Sequence, residues 1–375
     1  MNILLIIGFA MSCFLGFLVI GKKNKMPSDF FLLYIFIVYA ITIGGTYIDE
    51  YNHENNYPLP QLVNVSWLFL LLHGPFFWFY VKYLTFENMK IRYVHTLHFL
   101  PFIIYFVFHY FNFVSLPAVE KIALINQHDT RLAPKIGVFI LGLSTVGYNF
   151  VVIDLIKKHR KNIKNKFSSL EKIDLNWLQT FAYASLVIFS LKTLLFNLNN
   201  HLQFTNDHIL SQISFSFSTV YVFYIGYFGI RQGRIFVDYH AVEAEHPFSP
   251  KKQNKPKTIE KKDYSQIISK LTGLMEQELP YLDPEFNLAK LSKLIKVKPE
   301  MLSEVLNSSL NQNFFDFVNK YRIEDFKIKC LDKENKHFSV MGIAYECGFN
   351  SKAAFYRAFN KFEGISPTTY ISKVS

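Results

Sequence analysis

The segment KAAFYRAF, which begins at Lys352, carries side chains that can bind the base edges and phosphates of a nucleic acid duplex. At helical spacing Lys352, Tyr356 and Arg357, here called the recognition trio, share one face, and Phe355 and Phe359 share another. Ammonium, phenol and guanidinium groups donate hydrogen bonds, and the two phenylalanines can anchor the helix in a core. The segment predicts a recognition helix, with a plain solvated helix face as the alternative.

The residues before this segment predict a helix-turn-helix unit around it. Ser339 is a suitable N-cap for a first helix, and Ile343 lies on the apolar face of that helix. Gly348 then allows a sharp turn, because glycine adopts backbone conformations that other residues avoid. Ser351 can cap the second helix, so that two helices meet at a short turn.

The same pattern occurs once more, closer to the start of the C-terminal part of the chain. Leu291 overlays on Ile343 and, with one extra residue in the turn, Leu302 overlays on Phe355. Pro299 suits the first position of the second helix of this earlier unit. A long amphipathic segment, NFFDFVNKYRIEDFKIKCLD, lies between the two units. The sequence therefore predicts two helix-turn-helix units joined by one long helix.

Seven apolar runs precede these units, and each is long enough to cross a membrane, which takes about 20 residues in a helix. They lie at 2–20, 30–48, 62–82, 94–115, 136–156, 178–199 and 209–230. Aromatic residues make up 17% of the chain and charged residues only 18%, which is typical of a chain that is partly in membrane. The first run lacks a basic start and a small-residue cleavage site, so we expect a retained helix.

Lysine and arginine residues concentrate in alternate connections between the runs, which predicts the orientation of the chain. The first, third and fifth connections and the exit from the last run are basic, and the fifth contains KKHRKNIKNK. The opposite set contains only Lys121, Arg131 and Lys135. We therefore expect a multi-pass protein of the cytoplasmic (inner) membrane, with its N-terminus outside and its C-terminal part in the cytoplasm.

Two ionisable residues within the runs are candidates for binding a signal or a ligand, because charge in lipid is costly and often functional. His73 lies in the third run beside Gly74 and Pro75, and Lys192 lies in the sixth. The structural alternatives are a hydrogen bond from His73 to a neighbouring helix and an ammonium of Lys192 that reaches the outer interface.

The C-terminal part, residues 264–375, resembles the AraC/XylS family of transcription regulators. With seven apolar runs before it, the whole chain resembles the membrane-bound members of that family. The resemblance implies one domain with two helix-turn-helix units, whose second helices enter adjacent major grooves on one face of DNA. It is carried by the spacing of Ile343, Ala344, Gly348, Phe349, Phe355, Phe359, Gly364, Ser366 and Pro367.

The predicted DNA contacts lie mainly on the second recognition helix. Residues near the start of such a helix reach base edges, so we assign the recognition trio to bases. Arg357 can grip a guanine with two hydrogen bonds, which is worth about 1–3 kcal/mol of discrimination. Ser351 and Lys361 suit phosphates, and Asn360 also faces outward.

The first unit departs from this pattern. The overlay places Glu304 where the second unit has its arginine, beside an outward-facing Ser303. A carboxylate repels phosphates, although it can accept a hydrogen bond from a cytosine amino group. Lys298 and Asn307 are the best phosphate contacts of this unit, and Lys296 replaces the glycine of the second turn.

The predicted organisation is all-α, with a seven-helix transmembrane bundle followed by a cytoplasmic AraC-type domain with two helix-turn-helix units. Residues 1–236 form the membrane (sensor) domain, residues 237–263 a flexible basic linker, and residues 264–375 the DNA-binding domain. This last part contains 15 basic and 13 acidic residues. Its near neutrality predicts weak non-specific attraction to DNA.

The leading hypothesis is a membrane-embedded one-component regulator that binds promoter DNA, either on the membrane or after proteolytic release at the linker. The alternative is a seven-span receptor or transporter whose C-terminal domain binds a protein. An enzyme is disfavoured, because the sequence contains no metal-ligand cluster, phosphate loop or nucleophile elbow, and we expect neither catalytic residues nor metal nor cofactor. Candidate partners are DNA, the lipid bilayer, a second copy of the chain, RNA polymerase, and an unidentified small ligand or membrane protein.

Overall fold

A computed structural model describes residues 3–85, 92–126, 132–171, 173–202, 207–244, 261–335 and 337–374. The chain divides into two compact units, one of residues 1–157 and 175–240 and the other of residues 158–174 and 241–375. The described residues are mainly helical and contain no strand, apart from one isolated antiparallel bridge between Phe167 and Asn287. The predicted all-α class is confirmed.

The helices up to residue 244 are long and mostly apolar. They are α1 (Ile3–Ile20), α2 (Pro27–Glu54), α3 (His73–Thr85), α4 (Leu100–His109), α5 (Ala118–Asn126), α6 (Leu132–Lys164), α7 (Asn176–Leu202) and α8 (Asp207–Ala244). The described residues of this part also contain three 3-10 segments, Pro60–Leu62, Ser66–Leu72 and Tyr93–Phe99, and one π-helical turn, Tyr110–Val114.

Seven helical stretches of the described chain are long and apolar enough to cross a membrane. They are Ile3–Ile20, Pro27–Glu54, Pro60–Thr85, Tyr93–Val114, Ile136–Lys164, Asn176–Asn199 and Ile209–Gln232, and they coincide with the seven predicted runs. The third and fourth begin as 3-10 helix and become α-helical just before Pro75 and Pro101. Proline lacks an amide hydrogen and is tolerated in the first turn of an α-helix, which explains where α3 and α4 begin.

Small residues allow the helices of the first unit to approach closely. Gly8 of α1 faces Thr219 of α8, and a Cβ atom at Gly8 would lie 2.2 Å from the threonine Oγ1. Gly74 of α3 faces Tyr148 of α6, where an added Cβ would lie 2.5 Å from the ring. Side chains of α2 such as Leu32 belong to the larger of two buried apolar clusters in this unit. Close backbone approach at small residues is how helices associate in lipid.

The second unit contains seven shorter helices among its described residues. They are α9 (Lys261–Gln277), α10 (Leu288–Ile295), α11 (Pro299–Ser308), α12 (Phe314–Leu331), α13 (Val340–Glu346), α14 (Lys352–Glu363) and α15 (Pro367–Val374). They surround two apolar cores, one for each helix-turn-helix pair. The central helix α12 supplies Phe317 and Val318 to the first core and Ile323 and Phe326 to the second, as predicted for a helix that joins two units.

Two features differ from the predicted division of the chain. Helix α8 continues to Ala244, into the predicted linker 237–263, because residues 237–244 contain no proline or glycine to end it. Residues 245–260 lie outside the described part of the chain, so the flexible linker stays a prediction. In addition, residues 158–174, which connect α6 to α7, fold as part of the second unit.

Candidate nucleic-acid interface

Helix α14 is fixed to the second core by its phenylalanines and by its cap. The hydroxyl of Ser351 accepts a hydrogen bond from the amide of Ala354 at 3.1 Å, as predicted for the N-cap. Phe355 and Phe359 are buried, with ring centres 4.6 and 5.7 Å from that of Phe326 in α12. These contacts hold α14 in one rotation about its axis, which turns the opposite side of the helix outward.

The recognition trio lies on this outward side of α14. Lys352 and Arg357 are exposed and Tyr356 is half-buried, with the ammonium of Lys352 5.4 Å from the centre of the Tyr356 ring. Asn360 is also exposed. Lys361 differs from its predicted role in one respect, because its ammonium lies 2.6 Å from a carboxylate oxygen of Asp316 in α12. A phosphate would have to compete with that carboxylate.

The turns of the two units share a left-handed backbone at equivalent positions. Gly348 has φ of +87° and Lys296 has φ of +56°, so the lysine adopts the conformation for which glycine is usually used. The two sites differ in the space around them. A Cβ at Gly348 would lie 2.3 Å from the carbonyl oxygen of Tyr281 and 2.9 Å from that of Leu282. The second turn therefore requires glycine for two reasons.

The outward face of the first unit is formed by α11, which begins at Pro299 as predicted. Lys298 is exposed at the N-cap position, and the side-chain amide of Asn307 donates to the carbonyl oxygen of Ser303 at 2.7 Å. Glu304 is exposed and accepts a hydrogen bond from the hydroxyl of Tyr264 in α9 at 3.0 Å. This hydrogen bond to the carboxylate raises the pKa of the Tyr264 hydroxyl. The unexpected glutamate thus has a partner inside the domain.

Arg322 of α12 lies at the centre of the second unit and is only 1% exposed. Its guanidinium donates to the carbonyl oxygens of Tyr281 at 2.7 Å and Asp283 at 2.8 Å. Burial lowers the pKa of this guanidinium to about 10, and nearby Asp283 partly opposes that change. Arg322 is not among the residues predicted from the sequence. Its signal is an arginine one helical turn before Phe326, on the apolar side of α12.

Residues 165–171, here called the docking loop, pair with the backbone before α10. The amide of Leu288 donates to the carbonyl oxygen of Lys166 at 2.9 Å, and the amide of Ser168 donates to that of Phe286 at 3.4 Å. Both bonds belong to the short antiparallel bridge of the second unit. The loop is thus attached to the domain through main-chain atoms, whose pairing is independent of side-chain type.

The remainder of the docking loop reaches α12 and the start of α14. The guanidinium of Arg322 donates two hydrogen bonds to Ser168, one to the carbonyl oxygen at 3.4 Å and one to the hydroxyl at 3.2 Å. The carboxylate of Glu171 accepts a hydrogen bond from the hydroxyl of Ser351 and lies 3.6 Å from the guanidinium of Arg357. Sequence reasoning missed these contacts. Their one sequence signal is that Glu171 is the sole acidic residue between positions 157 and 172.

The two signal candidates lie in the first unit. His73 is buried, with its Nε2 3.1 Å from the hydroxyl of Tyr221 in α8, which matches the alternative of a hydrogen bond to a neighbouring helix. The ammonium of Lys192 lies 4.5 Å from the centre of the Phe215 ring, a cation–π contact. A cavity of about 570 Å³ in this unit is lined by apolar residues such as Phe9 and Ile41, and neither candidate lines it.

Within the described residues, no group of three or more His, Cys, Asp or Glu side chains could hold a metal ion. The three cysteines are free thiols, and Cys347 is buried in the second core. Burial raises the pKa of the Cys347 thiol above its ordinary value.

Residues 291–373 match a protein-family model described as a helix-turn-helix domain. The match begins within α10 and ends within α15, so it covers most of both helix-turn-helix pairs and the helix between them. It supports DNA-binding transcription regulation and the resemblance to the AraC/XylS family. No curated protein and no solved structure shows significant similarity to the chain. The second unit thus carries a helix-turn-helix domain, and the predicted trio lies on the outward side of its helix α14.

Proposed function

We propose that the chain is a membrane-embedded one-component transcription regulator. Its helix-turn-helix domain binds specific promoter DNA, and a signal received at the apolar helices controls that binding. The observation that carries the proposal is the outward recognition trio on a helix that Phe355 and Phe359 hold in the core of a helix-turn-helix domain. The seven apolar helices of the same chain support attachment to a membrane.

The proposed orientation places the N-terminus outside and the helix-turn-helix domain in the cytoplasm, where DNA is. The positive charge of alternate connections supports it, since lysine and arginine remain on the cytoplasmic side. A reporter enzyme fused after Gly233 tests the orientation directly. Activity confined to the cytoplasm supports seven crossings, whereas activity on the outer side contradicts them.

The proposed readout is unequal between the two units. The recognition trio reads base edges, Ser351, Asn360 and Lys361 support it at the backbone, and Lys298, Ser303 and Asn307 position the first unit. Glu304 adds a negative charge on that side, so the first unit contributes less affinity. Two copies of the chain on adjacent sites would compensate, because linked binding events raise the effective concentration of the second. An activator of this kind would also contact RNA polymerase.

The signal is proposed to enter through the first unit. His73 and Lys192 are the candidates for polar contacts with a signal molecule. The apolar cavity, which neither of them lines, is a separate candidate site for a hydrophobic molecule. A second membrane protein in contact with the helices is the other proposed source. Either would act by favouring one arrangement of the helices over another.

Nuclease footprinting with the full chain in lipid nanodiscs tests DNA binding. We expect protection of a specific segment that spans about two adjacent major-groove turns. Genome-wide mapping of DNA bound by the tethered protein then identifies the promoters. If neither wild type nor Glu171→Gln, which lacks the carboxylate beside Arg357, gives sequence-specific protection at any salt concentration, direct control of DNA is refuted. The near-neutral charge and the exposed Glu300 and Glu304 would then favour the alternative, a receptor or transporter whose helical domain binds a protein.

A further inference from the structure

The docking loop is attached to the helix-turn-helix domain at two places that differ in kind. Its first part, at Lys166 and Ser168, is held by main-chain pairing and by the buried Arg322 guanidinium. Its second part, at Ser169 and Glu171, lies at the start of the recognition helix α14. The first part anchors the loop, and the second part brings an acidic side chain to the proposed DNA-binding face.

The anchor satisfies polar groups that burial would otherwise leave with fewer partners. Ser168 is buried and accepts from Arg322 through both its hydroxyl and its carbonyl oxygen. The carbonyl oxygen also accepts from the side-chain amide of Asn319 at 3.2 Å. Buried charged donors require such partners, so the loop fits this surface specifically.

The acidic end occupies groups that DNA would use. Glu171 accepts from Ser351, the proposed phosphate contact, and its carboxylate lies 3.6 Å from Arg357, the proposed base reader. The side-chain amide of Asn350 donates to the hydroxyl of Ser169 at 2.7 Å beside them. A carboxylate resembles a phosphate in charge and in its hydrogen-bond acceptors, and it would repel DNA phosphates at the same position.

From these contacts we propose that the docking loop is an internal competitor of DNA, an autoinhibitory segment that Glu171 holds over the recognition helix. The loop joins α6 to α7 in the chain, so a signal that shifts either helix would pull on it directly. The proposal rests on the proposed function, and it adds the means by which a signal in the apolar helices reaches the DNA-binding face.

The first test compares Glu171→Gln with wild type, using the full chain in lipid nanodiscs and a duplex that carries the protected site. Removal of the charge weakens the loop contact, so DNA binding measured by fluorescence anisotropy should tighten about 3- to 10-fold. The matched control is Glu278→Gln, an exposed glutamate just after α9, which should leave affinity unchanged. Equal affinity of wild type and Glu171→Gln overturns the competitor role, and weaker binding by the variant overturns it as well.

The second test uses a reversible disulfide that holds the docking loop against the domain. The side chains of Ser169 and Asn350 meet at 2.7 Å, which makes these two positions the pair to replace by cysteine, and loss of both introduced thiols on oxidation shows that the disulfide has formed. The oxidised Ser169→Cys/Asn350→Cys protein should bind the duplex at least about tenfold more weakly than the same protein after reduction. Unchanged affinity on oxidation overturns the inference while wild-type binding upholds the proposed function. Absence of specific binding by wild type and by both loop variants overturns the proposed function and the inference together.

Discussion

Replacement of Gly348 by alanine should damage the second helix-turn-helix pair more than the same change at Gly364. Both glycines have left-handed backbones, with φ of +87° and +71°. For alanine, that conformation lowers the free energy of unfolding by about 1–2 kcal/mol. The lower entropy of alanine in the unfolded chain offsets about 0.4–1 kcal/mol of this loss. Backbone strain alone therefore predicts a loss of about 1 kcal/mol at either site.

The two sites differ in what the new methyl group would meet. Apart from its chain neighbours, no heavy atom of the described residues lies within 4 Å of a Cβ at Gly364, whereas a Cβ at Gly348 would lie 2.3 Å from the carbonyl oxygen of Tyr281. That oxygen also accepts from the buried Arg322, so it cannot move freely. Overpacking of this kind destabilises a protein by about 1–3 kcal/mol more, so Gly348→Ala should lower the free energy of unfolding by about 2–4 kcal/mol in total.

Alkylation of Cys347 in the full chain measures this difference, because the thiol is buried and burial raises its pKa. Labelling then requires local opening, and its rate relative to the denatured protein reports the free energy of opening. Peptide mass spectrometry separates Cys347 from Cys13 and Cys330. Gly348→Ala should label about 5- to 150-fold faster than Gly364→Ala. Equal rates for the two variants would refute the argument from the Tyr281 carbonyl.

The other predictions concern the two recognition helices and their turn. Arg357→Ala should relax specificity at one base pair, with a loss of about 1–3 kcal/mol of discrimination, while Cys347 labelling stays unchanged because the fold is intact. Binding-site selection measures the specificity, and unchanged specificity would mean that another residue reads that base. Glu304→Lys should steepen the dependence of log affinity on log salt concentration by about one unit, because it adds a phosphate contact. An unaltered slope would place α11 away from the DNA backbone. Lys296→Gly should stabilise the first unit by up to about 1 kcal/mol in hydrogen exchange, since left-handed strain is relieved; a loss of stability would contradict this.

Patterns that depend on local chemistry were predictable from the sequence. The apolar runs predicted the seven helical stretches that are long and apolar enough to cross a membrane, because length and hydropathy define such candidates. The overlay of the two units identified the buried faces, including Leu302 and Phe355, because a helix in a small domain must bury a periodic stripe. The caps at Ser339 and Ser351 also followed from residue type alone, and both serine hydroxyls accept the amide predicted for them.

Contacts between segments far apart in the chain were not predictable in this way. The docking loop lies in a run of basic residues whose composition indicates only the cytoplasmic side of a membrane. Its pairing with Phe286 and Leu288 uses main-chain atoms, which leave no signal in residue type. Arg322 appeared as one charged position on a mixed helix, and its role depends on carbonyl groups that only the folded chain brings to it.

The two halves of the docking loop also suggest how far it would move when DNA binds. Complete release would take Ser168 away from Arg322, and a buried guanidinium that loses partners costs several kcal/mol. Release of the acidic end alone breaks the contacts of Glu171 with Ser351 and with Arg357, which is 61% exposed, so solvent replaces them at a cost of about 1–3 kcal/mol. The motion with the lower free-energy cost moves only the acidic end, so the recognition helix becomes free while Ser168 stays bound to Arg322. A signal of about 1–3 kcal/mol, typical of allosteric coupling, would therefore be enough to expose the proposed DNA-binding face without detaching the loop.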